Sequence, residues 1–92
     1  MDQKQIEIKV IEIISGVLDV DKSNIATKTP LKNLGIDSLD RIDILIKIEK
    51  EFKINYVSIN PDFIYNISIE RLCKCIEIAI ISKGSPGILI FF

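Results

Sequence analysis

Three stretches of the chain carry apolar residues at steps of three and four, each bounded by residues that start or stop helices. That period places one apolar stripe along a helix, which has to be buried against another element. From Gln5 to Leu18 the stripe is Ile6, Val10, Ile13, Ile14 and Val17, widened by Ile8 and Ile11. Alternation in "IEIKVIEII" also permits a β-strand, and β-branched residues favour one. No other strand exists for it to pair with, so helix is the reading. From Ser38 to Phe52 the inner face is Ile42, Leu45, Ile48, Glu49 and Phe52, with Asp37 or Ser38 as the cap. Ser68 caps a last helix with Ile69, Leu72, Ile76, Ala79 and Ile80 inside, stopped by Gly84, Ser85, Pro86 and Gly87. Asn60 followed by Pro61 starts a short helix through about Tyr65. The expected fold is all-α, a small four-helix bundle of three longer helices and one short one.

Between the first two helices, "DVDKSNIATKTPLKNLGID" at residues 19 to 37 is a long polar loop, pinned to the core by Ile25, Leu31 and Leu34. Loops of this length in small domains are often functional. The 92 residues fit one domain, expected over residues 1–83. Residues 84–92, "GSPGILIFF", form an apolar, β-prone tail that is an aggregation hazard when exposed.

The chemistry available is narrow. With no histidine, Ser-His-Asp catalysis and histidine metal sites are excluded. A net charge of −1 argues against charge-driven nucleic-acid binding. No apolar run is long enough to span a bilayer, and the N-terminus lacks a signal-peptide pattern. Cys73 and Cys75 stand two apart on a helix and point in different directions, so they do not pair. They read as buried or half-buried side chains of a cytoplasmic protein. "DVDKSNIATKTP" begins like a calcium loop, but its turn glycine is missing and Pro30 stands where the glutamate belongs. Asn66-Ile67-Ser68 fits a glycosylation pattern; a helix cap at Ser68 explains it better.

Ser38 has no base to make it a nucleophile. It stands at a helix start, where free N–H groups and a partial positive charge tolerate a phosphate, and Gly35 lets the backbone turn sharply before it. Leu39 and Ile46 lie about 20° apart around the axis, away from Leu45, Ile48 and Phe52. They are expected at the surface beside Ser38, flanked by Asp40 and Asp43, as a docking spot for an enzyme with a basic rim.

"LGIDSLDRIDILIKIEKEF" resembles the prosthetic-group site of the acyl carrier protein family. The shared pattern is Gly35, Asp37, Ser38, Leu39 and Asp40, followed by an amphipathic helix ending in Glu51 and Phe52. The helical layout over about residues 5 to 82, with Pro30-Leu31 shortly before the motif, extends the likeness. The resemblance implies a 4′-phosphopantetheine arm from coenzyme A on Ser38, with Asp37 and Leu39 beside it, attached by a phosphopantetheinyl transferase. It implies a monomeric, non-catalytic carrier whose cargo is a thioester, an acyl intermediate of fatty-acid or polyketide-type synthesis. Asp40, Asp43 and Ile46 would meet its partners: acyl-transferring or condensing enzymes, or an acyl or aminoacyl ligase. An aminoacyl or peptidyl carrier, including a D-alanyl carrier, is the nearest alternative. A cofactor-free helical interaction module is the rival from another class. Arg41, Lys47, Lys50 and Lys53 depart from the strongly acidic helix of fatty-acid carriers, which suggests either a specialised carrier with its own enzymes or simple tolerance of surface substitution.

Overall fold

The computed structural model describes residues 2–54 and 64–81. Among them are three α-helices and no strand: α1 (Gln3–Leu18), α2 (Ser38–Phe52) and α3 (Ile69–Ile81). Two 3-10 turns, Lys22–Asn24 and Leu31–Leu34, tighten the segment between α1 and α2. The helix expected at the N-terminus is therefore a helix. Ile64 and Tyr65 are helical, while the rest of the expected short helix and the 84–92 tail lie outside the described residues.

Each helix starts where the local chemistry allows it. Asp2 caps α1 by accepting the Gln5 N–H at 2.8 Å, and the Gln5 side chain accepts the Asp2 N–H at 3.3 Å. This reciprocal pair satisfies two donors that a helix start leaves open. Ser68 caps α3 as expected, its hydroxyl accepting the Arg71 N–H at 3.2 Å.

α1 packs against both α2 and α3. Ile6, Val10 and Ile14 of α1 are fully buried, as are Ile44 and Ile48 of α2 and Ile69, Leu72 and Ile76 of α3. Ile13 and Val17 pack on the margin of this core. Ile8 does not widen the buried stripe; it is half exposed. The linking segment is pinned by Ile25 and Leu31, with Leu34 partly buried. Ile36, just before the α2 cap, is buried too and was not expected to be.

The inner face of α2 differs from the expected one at Ile42, which is 45% exposed. Its place is taken by Ile44. At 3.6 residues per turn, Ile44, Leu45, Ile48 and Phe52 span an arc of about 100°, and Ile42 lies about 60° outside it. Glu49 is intermediate.

Backbone hydrogen bonds tie the linking segment to the start of α3. The Leu31 N–H donates to the Ile67 carbonyl at 2.9 Å, and the Glu70 N–H to the Thr27 carbonyl at 3.0 Å. Pro30 and Ser68 form an isolated antiparallel bridge. These contacts set the direction from which the chain approaches α2.

Candidate functional site

The site is the first turn of α2, and three residues ahead of Ser38 deliver it. Gly35 ends the second 3-10 turn with φ 79°, and its N–H donates to the Lys32 carbonyl at 3.1 Å. A side chain here meets no neighbour within 4 Å, so glycine is required by the left-handed backbone and not by space. Ile36 anchors the next step in the core. Asp37 is then the N-cap: its carboxylate accepts the Asp40 N–H at 2.8 Å, and Asp40 accepts the Asp37 N–H at 3.1 Å.

Ser38 is consequently the first helical residue and not the cap. Its hydroxyl is exposed and relieved of capping. Of the first-turn amides, that of Asp40 is held by Asp37, while those of Ser38 and Leu39 lie at the open N-terminal end of the helix, where amides have no acceptor within the helix itself. A phosphodiester fits here on three counts: an accessible oxygen, nearby N–H donors, and the positive end of a helix of 15 residues. Arg41 adds a cation over the same turn. Its Nε–H donates to the Asp37 carbonyl at 3.4 Å, and its guanidinium carbon lies 4.6 Å from the centre of the Tyr65 ring.

Next to Ser38 an apolar stripe faces outward. Leu39 is 76% exposed and Ile46 43% exposed. Ile42 belongs with them, three residues from Leu39 and four from Ile46, and sequence reasoning missed it. The signal was present: those spacings place all three on one face. Asp40 and Asp43 flank the stripe, both partly exposed. Asp43 is engaged by Lys47, whose Nζ lies 2.6 Å from Oδ1. The acidic flank is thereby concentrated at the Ser38 end, with the lysines toward the other end of α2.

The two thiols lie apart from this site. Cys73 and Cys75 are buried and unpaired with each other. Burial, reinforced by the nearby negative charge of Glu7, pushes the Cys73 thiol up to about 12; burial also raises Cys75. Neither ionises near neutral pH, so neither is a ready nucleophile or metal ligand. Among the described residues no cluster of metal-ligating side chains forms, and no helix is long and apolar enough to cross a membrane.

Comparison with known proteins agrees with this geometry. A family model described as "Phosphopantetheine attachment site" matches residues 9–76. The chain is 42% identical over 52 residues to an acyl carrier protein of Azobacteroides pseudotrichonymphae, covering 55% of this chain and 61% of that one. It is 42% identical over 55 residues to an acyl carrier protein of Guillardia theta, covering 59% and 68% of the two chains. A mitochondrial acyl carrier protein of Dictyostelium discoideum is 39% identical over 54 residues, 59% of this chain and 45% of that relative. The chain thus spans about half to two thirds of the length of these curated relatives. No solved structure gives a significant match. With the phosphopantetheine-site match extending over most of its length, and with relatives of this kind, the chain belongs to the acyl carrier protein family.

Proposed function

We propose that Ser38 carries a 4′-phosphopantetheine arm and that the chain transports acyl groups between enzymes as thioesters on that arm, without catalysing their reactions. The observation that carries this reading is the division of labour at the α2 start. Asp37 and Asp40 complete the cap between them, so the exposed hydroxyl one residue on is not used for capping. The bound arm would supply the thiol on which cargo is held. This chain's own part is to present the attachment oxygen and to raise the local concentration of cargo at each partner.

The partners under this reading are a phosphopantetheinyl transferase and acyl-transferring or condensing enzymes, or an acyl or aminoacyl ligase. They would dock on Leu39, Ile42 and Ile46, with Asp40 and Asp43 meeting a basic rim. The cargo is an acyl intermediate of fatty-acid or polyketide-type synthesis. The lysines of α2 weaken the case for a housekeeping fatty-acid carrier, and an aminoacyl carrier is the second reading, against which the Leu34-Gly35-Ile36-Asp37-Ser38-Leu39-Asp40 form leans to the acyl class. The protein is read as a monomer working in a reducing compartment such as the cytoplasm, which suits its free, buried thiols. Residues 1–83 would form the carrier domain, four-helical with a short helix ending at Tyr65, and residues 84–92 an appended tail.

Incubation with coenzyme A and a broad-specificity phosphopantetheinyl transferase tests the attachment. Intact mass is expected to rise by one phosphopantetheine, and Ser38→Ala to stay unmodified. A folded wild-type chain that stays at its original mass refutes the carrier function and favours a cofactor-free interaction module.

A further inference from the structure

Arg41 stands three residues after Ser38, a spacing that makes side-chain neighbours on a helix. A helical side chain leans toward the N-terminus, over the turn before its own Cα. The observed contacts follow that lean: Arg41 reaches back to the Asp37 carbonyl and lies over Tyr65. Among its contacts, these two hold the guanidinium beside the first turn of α2.

The charges of this turn give the position a purpose. Asp37 and Asp40 already place two carboxylates there. A phosphodiester on Ser38 Oγ would add a third negative charge within one turn, and the helix end offers only a partial positive charge against it. A guanidinium is a planar fork of five N–H donors that matches phosphate oxygens. Direction matters as well. Around the helix axis, Arg41 lies about 60° to one side of Ser38, while Leu39, Ile42 and Ile46 lie about 40–100° to the other.

We propose that Arg41 clamps the phosphodiester of the arm on Ser38, turning the root of the arm toward Tyr65 and away from the exposed apolar stripe. The clamp rests on Ser38 bearing the arm. It makes Arg41 a positioning residue that leaves the stripe clear for a partner while the arm is attached.

Nuclear magnetic resonance of the apo and loaded full chain tests it, using wild type, Arg41→Gln and Arg41→Lys, with intact mass to verify loading. The Arg41 Nε–H resonance is expected to move on loading. The phosphorus resonance of the arm is expected to differ between wild type and Arg41→Gln, with Arg41→Lys in between. Loading should also raise the unfolding midpoint of wild type by more than that of Arg41→Gln. An Nε–H signal that ignores loading, with a phosphorus signal indifferent to Arg41→Gln, overturns the clamp while leaving the carrier reading intact. A Ser38 that accepts no arm overturns both. The wild-type apo-to-loaded comparison stands even where Arg41→Gln fails to fold.

Discussion

The two sides of α2 are built from the same kinds of side chain and have opposite fates. On one, Ile44, Leu45, Ile48 and Phe52 are at most 7% exposed; on the other, Leu39, Ile42 and Ile46 are at least 43% exposed. Hydrophobicity does not tell the two apart. Position around the axis does, because α1 covers only one arc of the helix. The buried side contributes to stability. The outward side leaves apolar surface in water beside Ser38, a cost that docking on a partner would relieve.

The sharpest way to break this comparison is to shorten one isoleucine on each side. Ile48→Ala should destabilise the apo protein by about 2–5 kcal/mol in urea unfolding, from lost transfer energy plus a residual cavity. That is a large share of the roughly 5–15 kcal/mol a small domain has.

Alkali tests the inner side through α3. The Cys73 thiol is held at about 12 when folded, against 9.0 as its ordinary value. Its folded pKa is raised, so its contribution is intact below pH 9.0 and is lost as pH rises toward 12. Between those values the unfolded chain releases a proton that the folded one keeps. Stability should therefore fall by up to about 1.4 kcal/mol per pH unit across that window. Unfolding curves from pH 8 to 11, against Cys73→Ala, isolate this slope from that of the lysines.

Loss of the α2 cap is a smaller effect. Asp37→Ala should cost about 1 kcal/mol of stability. If Ser38 takes over the capping role in that variant, its hydroxyl is diverted and loading slows beyond what the stability loss explains. Smallest of all, Leu39→Ala and Ile46→Ala should change stability by no more than about 0.5 kcal/mol. In each, transfer of the arm by the transferase should still weaken. A core-sized loss of stability in either would show that the outward side is packed in solution.

Much of this was legible in the residues themselves. The limits of α2 follow from Asp37 ahead of a helical apolar period, and Ser68 is readable as a cap because capping is local. Ser38 stood out because a glycine, a capping acid and an apolar helix met around it. Ile42 was misplaced because it borders two possible arcs, and only the location of α1 selects between them. The 3-10 turns and the stack of Arg41 on Tyr65 were not legible. The turns close through short-range bonds, such as the Ile25 N–H to the Lys22 carbonyl, that apolar periodicity does not mark, and the stack joins residues far apart in the chain, as the Leu31–Ile67 hydrogen bond does.

Those distant hydrogen bonds carry a kinetic consequence. Leu31 and Glu70 each donate across the junction between the linking segment and the first turn of α3. Neither segment can fray without releasing the other, so their amides should exchange with deuterium at matched rates, as one cooperative unit. The stretch that presents Ser38 is in this sense moored at a far point of the chain. A modifying enzyme would meet a prearranged hydroxyl instead of having to order a loose strand first.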